Sequence, residues 1–182
     1  MHSIGITGHI HLTRSTMRSV REALVADLRG RRGPLHGVTC LAPGPDRIFA
    51  EVLTALGGTY DVVLPAADQL GGGGGRRASC HVLESFLAGA REVIVGPFPR
   101  SGAAAYAFAN EQVVARCQEL IAVWDGHADE QPGSTAHAVW LARRAAVPVN
   151  RIWPERARRS RAFGAEPGRR PSTPLIVGSA TT

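Results

Sequence analysis

Glu119 to Thr135 reads ELIAVWDGHADEQPGST, a short apolar run closed by an acidic turn and followed by a small-residue corner that opens a helix. Open α/β sheets build ligand crevices in this way, at the carboxyl ends of their strands. On both sides the pattern repeats. Apolar runs at Ser3 to Thr7, Gly37 to Cys40, Tyr60 to Leu64, Glu92 to Val95, Leu120 to Trp124 and Val149 to Trp153 alternate with amphipathic stretches at Arg14 to Leu28, Arg47 to Leu56, Ala78 to Ala88, Ala104 to Cys117 and Thr135 to Ala146. Strands this short, separated by helix-length segments, predict βαβ units. The fold class expected is α/β, a single domain with a mainly parallel sheet covered by helices on both faces.

The chain has 182 residues, enough for one well-packed domain and short for two. Residues 1–154 are read as the folded domain and 155–182 as a basic, Pro/Gly-rich extension. The formal charge of +6 is concentrated there: residues 1–150 hold 14 arginines against 13 acids, and residues 151–182 hold 7 against 2. Such a segment reads as a solvated extension, with contact to nucleic acid as the alternative. Pro174 to Gly178, PLIVG, is an added edge strand or a loose end. No apolar run approaches the roughly 18 to 20 residues of a membrane span, and the chain opens on a strand without a basic leader, so a cytoplasmic protein is expected. Cys40, Cys80 and Cys117 are widely spaced, without a CxxC pair. The seven histidines form no HExxH, so neither a metal site nor another cofactor is expected. Gly71 to Gly75 is a five-glycine loop after the third strand, read as a tolerated insertion or a lid.

Three corners carry the candidate binding residues. After the first strand come Gly8, where a ligand can approach the backbone, and His9, read as a ligand contact, a proton-transfer group or a turn histidine. After the second, Gly44 lies in a corner fixed by two prolines. Asp46 there caps free amides or accepts from a ribose hydroxyl, and Arg47 pairs with phosphate or with Asp46. After the fifth, Asp125 is poorly explained by core packing and is read as a ligand contact, against an Asx turn with Gly126. Gly133, Ser134, Thr135 and Ala136 leave room for a phosphoryl group at a helix start, where two hydroxyls and the free amides donate to it or merely cap the helix.

The segments GHIHL, LAPGPDRIFAE, Leu64-Pro65 and CQELIAVWDG followed by GSTAHAVWLARRAAVPVNRIWP together resemble a Rossmann-like superfamily. It includes the DNA-processing Smf proteins, the lonely-guy phosphoribohydrolases once called lysine decarboxylases, and small bacterial nucleotide-sensor-like proteins. The resemblance covers roughly residues 3 to 154. It departs from the family pattern at Ile10, Pro45 and Ser134, where arginine, alanine and glycine are usual. It implies a nucleotide or nucleotide-derived ligand among Gly8, His9, Gly44, Asp46, Asp125, Gly133, Ser134 and Thr135, and it contributes to the expectation of a homodimer, which the Ala-rich helices also suggest. Phosphoribohydrolases carry a loop glutamate that supports N-glycosidic cleavage. Pro132 to Ala138 has none, so a glycosidase would need another carboxylate, Glu84 or Glu111, acting with His9. Binding of a nucleotide-like molecule, as a sensor, is the first reading; hydrolysis of a nucleoside monophosphate and nucleic-acid binding through the tail are the alternatives.

Overall fold

In the computed structural model, residues 2–70, 77–127 and 131–160 are described. The Gly71 to Gly75 loop with its lid reading, the PLIVG segment and the extension from residue 161 onward lie outside them. Six strands, β1 (His2–Gly8), β2 (Leu35–Thr39), β3 (Thr59–Leu64), β4 (Glu92–Val95), β5 (Glu119–Val123) and β6 (Val149–Ile152), form one sheet in the order β4-β3-β2-β1-β5-β6. Every pairing is parallel. Five α-helices, α1 (Arg14–Arg29), α2 (Pro45–Ala55), α3 (Arg77–Gly89), α4 (Ala103–Arg116) and α5 (Thr135–Arg144), join them, with a 3-10 turn at Ala67–Gln69 that the sequence did not announce.

The layers follow from which side chains must leave water. Strands β1, β2, β3 and β5 are buried along nearly their whole length, whereas β4 at one edge is largely exposed. Uninterrupted burial is what two covering layers of helices impose on a parallel strand. On one face Val20, Leu24 and Leu28 of α1 and Phe49, Val52 and Leu53 of α2 pack with Ile4, Ile6, Val62 and Leu64, and α3 joins through Leu83, Phe86 and Leu87. On the other face Ala109, Val113 and Val114 of α4 and Ala138 and Ala142 of α5 pack with Val38, Val63 and Leu120. Successive crossovers therefore step outward from β1 to β4 on one face. Helix α4 then returns across the other face, and β5 pairs with the far side of β1. That reversal of strand order places a topological switch point between β1 and β5.

Side-chain clamps hold the amino ends of the strands. Arg31 forks onto Glu119 with two 2.7 Å bonds and donates to Asp27 at 2.9 Å. Buried His36 contacts Asp61 at 3.1 Å, and Arg91 closes on the same carboxylate with bonds of 3.0 and 2.9 Å. Among the described residues no helix is long and apolar enough to cross a membrane.

Candidate functional site

The carboxyl ends of β1 and β5 meet in register, Gly8 opposite Val123, and the ladder continues one step further through His9 N–H donating to Val123 C=O at 3.1 Å. Immediately beyond, the His9 ring and the Asp125 carboxylate converge: Nε2 lies 3.1 Å from Oδ1 and accepts the Asp125 N–H at 3.4 Å. The indole of Trp153 stands edge-on to the imidazole at a 5.8 Å centroid distance. A third group comes from the segment assigned by its sequence to the basic extension. Arg159 places Nε 2.8 Å from Asp125 Oδ2 and Nη2 2.6 Å from His9 Nε2.

A ring nitrogen holds either a proton or a lone pair, so His9 Nε2 serves these neighbours alternately. When neutral with the proton on Nδ1, it accepts from Arg159 and from the Asp125 amide; when protonated, it donates to the Asp125 carboxylate. Burial alone would push the Asp125 carboxyl up; the His127 N–H at 3.0 Å, the His9 ring and the Arg159 guanidinium outweigh it and bring the carboxyl down to about 2. The His127 bond is an Asx turn around Gly126, which has φ +93°. Asp125 thus supports its own turn and contacts the cluster at the same time.

Backbone contacts hold the segment that carries Arg159. Leu12 and Arg159 form an antiparallel bridge, Thr13 N–H donates to Arg158 C=O at 3.2 Å, and Ser160 N–H donates to His11 C=O at 3.0 Å. The Thr16 hydroxyl donates to Arg158 C=O and accepts the Arg158 N–H at 2.8 Å. Residues 155–160 therefore run as a strap across the start of α1 and fold with the domain.

The second corner lies beside the first, with a different role for its polar residues. Gly8 gives its space to the protein: a Cβ there would sit 2.8 Å from Pro45 Cγ and 3.0 Å from Val123 Cβ. Pro45 at the start of α2 thus packs onto the end of β1, and α2 begins two residues earlier than its periodicity predicts. Gly44, at φ +105° and ψ −126°, occupies backbone space open to glycine, within reach of the His9 and Ile10 carbonyls. Asp46 is 3 % exposed and turns inward, accepting from the Thr39 hydroxyl and the Cys40 N–H, both at 3.2 Å. Burial outweighs these bonds and raises its carboxyl to about 7. Arg47 donates to the Leu41 carbonyl at 3.0 Å, and burial lowers its pKa.

At the third corner Ser134 caps α5, its hydroxyl accepting the His137 N–H at 3.1 Å and its carbonyl accepting from Asn110 Nδ2 at 3.0 Å. Thr135 is buried at the first helical position. Ala136 packs against the cluster of Ala122, Trp124 and Val139. Gly133, at φ +87°, lies against Tyr106 of α4. Glu84 pairs with His81 on the solvent side of α3 with 61 % of its side chain exposed, and Glu111 is exposed on α4. Neither has the desolvated setting that tunes a glycosidase carboxyl. Among the described residues no group of three or more His, Cys, Asp or Glu side chains is placed to hold a metal.

Sequence reasoning missed Arg159 and Arg151. Arg151 donates to the Trp124 and Asp125 carbonyls at 3.0 and 2.8 Å and braces the Asp125 turn from β6. It also lines a separate open hollow of about 410 Å³ with Trp124, Arg143 and Ala146 to Val149. Alternation along β6 marks Val149 and Arg151 as sharing a face, which was the available signal. For Arg159 the basic composition pointed away from a packed position.

No protein-family model matches the chain, and no curated protein matches it. Solved structures share its architecture. DNA processing protein A of Streptococcus pneumoniae superposes with a TM-score of 0.63 at 17% identity, over 85% of this chain and 51% of that one. The DNA processing protein A of Helicobacter pylori, whose structure describes a single-stranded DNA binding mode, gives 0.57 at 18% identity, over 82% and 64%. The Moco carrier protein of Chlamydomonas rheinhardtii gives 0.50 at 19% identity, over 82% and 74%. The chain thus spans about half of the first DNA-processing chain and under two thirds of the second. At these identities the likeness defines the fold: a Rossmann-like domain of the kind found in DNA-processing and Moco-carrier proteins.

Proposed function

We propose that this domain binds a nucleotide or nucleotide-derived small molecule at the carboxyl edge of β1 and β5, and that it acts as a sensor. The observation that carries this reading is the convergence of His9, Asp125 and Arg159 at the switch point, where doubly wound sheets take their ligands. Asp125 held as a carboxylate suits a sugar hydroxyl; His9 and a guanidinium suit an anionic group. The start of α5, capped by Ser134, adds a helix terminus on the chain that leaves Asp125. Binding rather than turnover is favoured because Glu84 and Glu111 are exposed surface carboxylates. The homodimer belongs to the same proposal and is read by sedimentation.

A thermal-shift screen of mono-, di- and cyclic nucleotides tests the reading, since a ligand that binds only the folded state raises apparent stability by mass action. A selective rise that Asp125→Ala removes supports it. No rise across the screen contradicts it.

A second reading is contact with single-stranded nucleic acid through the arginine-rich carboxyl-terminal segment. The surplus of arginine in residues 151–182 and the fold shared with a DNA-processing protein described for its single-stranded DNA binding favour it. Salt-sensitive retention of DNA or RNA that survives deletion of residues 155–182 would dispose of it.

A further inference from the structure

We propose that Arg159, carried by the 155–160 strap, is the residue that receives the anionic group of the ligand, and so decides for a phosphorylated over an unphosphorylated nucleoside. The inference rests on the binding reading above and adds to it a residue and a ligand class.

The geometry singles out this guanidinium. It is planar, with five N–H donors in a fixed fork. Nε is directed at Asp125 Oδ2 and Nη2 at His9 Nε2, while no hydrogen bond or ion pair engages Nη1 among the described residues. The side chain is 44% exposed, against 17% for Asp125 and 12% for His9. The two inner groups therefore fix the orientation of the fork, and Nη1 stays unengaged among the described residues on a half-exposed side chain. An anionic oxygen arriving there meets a preorganised donor without displacing Asp125 from Nε. Asp125 stays an acceptor for hydroxyl groups, so the pair presents one acceptor and one anion-binding donor side by side. A sugar that carries both hydroxyls and a phosphoryl group matches that chemistry.

The mounting of the arginine supports a functional rather than a tail-like placement. Residues flanking Arg159 are tied by backbone bonds to Leu12, Thr13 and His11 and by two bonds to the Thr16 side chain. A preordered side chain loses less freedom on binding than a mobile one. Arg143 and Arg151 line the hollow along β6, but Arg151 already forks onto two backbone carbonyls.

The experiment measures the affinities of nucleoside 5′-monophosphates and their matching nucleosides for the intact chain and for Arg159→Ala and Arg159→Gln. For the best-bound pair, both variants are expected to weaken the monophosphate by about 10- to 100-fold while leaving the nucleoside within about twofold. The ratio of the two affinities is a quantity that loss of strap packing alone would not move. Equal loss for both ligands, no loss, or tighter monophosphate binding overturns the proposal and leaves the binding reading standing. Should no monophosphate bind the intact chain, this inference is overturned, while the binding reading is decided by the wider screen of mono-, di- and cyclic nucleotides.

Discussion

Arg159 Nε lies 2.8 Å from Asp125 Oδ2, and this pair joins the carboxyl end of β5 to a strap that enters the fold only after β6. The same guanidinium reaches His9 at the end of β1. Two strand ends that the topology makes neighbours are thereby connected through a third, distant part of the chain, and the electrostatics of this junction depend on all three.

Asp125 should impose an acid limit on stability. Its folded pKa of about 2 lies below the ordinary value of 3.8, so the depressed carboxyl contributes stability that is present above about pH 4 and lost as pH falls toward 2. Asp125→Asn is expected to have a lower melting temperature than the parent at pH 6 and a shallower decline between pH 4 and 2. Parallel melting curves over that window would show that the ion pair contributes nothing.

Asp46 has the opposite sign. Its folded pKa of about 7 lies above 3.8, so the fold binds its proton more tightly than the unfolded chain does. The stability linked to it is complete below about pH 4 and lost as pH rises through 7, with an upper bound of roughly 4 kcal/mol. Asp46→Asn keeps an acceptor for the Cys40 N–H and the Thr39 hydroxyl. It should flatten the decline in melting temperature between pH 5 and 8, which thermal melts at constant ionic strength would read.

Gly8→Ala places a methyl group 2.8 Å from Pro45 Cγ and 3.0 Å from Val123 Cβ. Neither neighbour is the end of a flexible chain, so the α2 start must shift. The expected cost is about 1 to 3 kcal/mol in denaturant unfolding, together with weaker ligand binding because the β2–α2 corner moves relative to His9.

Ala146 ends α5 at φ +55°, with Val147 N–H closing onto Ala142 C=O at 2.8 Å, the geometry that glycine usually serves. Ala146→Gly relieves the left-handed strain, against the larger entropy of an unfolded glycine. A net gain of a few tenths to about 1 kcal/mol is expected from chemical denaturation, with ligand affinity unchanged.

Much of this architecture was legible in the sequence. The periods of two and 3.6 are enforced by burial, and burial on both faces of β1, β2, β3 and β5 leaves apolar runs that cannot be read as surface; the segments from Ser3 to Trp153 fall within two residues of the observed elements. Asp125 stood out because an ionised group directly after a buried strand has no packing explanation, and it does meet His9. What composition could not show was direction. Asp46 and Arg47 fit the pattern of ligand-facing residues, but both side chains satisfy the backbone of the β2 to α2 loop, where Leu41 adopts φ +52°. Gly8 signalled a close approach, made by Pro45. Arg159 was hidden in a run whose charge and Pro/Gly content describe a solvated segment, and only the backbone bonds to residues 11–16 reveal that it folds back.

Whether β1, β5 and the strap share one ligand site is read from backbone amide NMR of the intact chain, titrated with the nucleotide that gives the largest thermal shift. A shared site gives saturable shift changes concentrated on His9, Asp125, Gly126 and residues 158–160, abolished by Asp125→Ala. Saturable changes that bypass these residues and gather instead along the β6 hollow, at Arg143 and Val147, would contradict it.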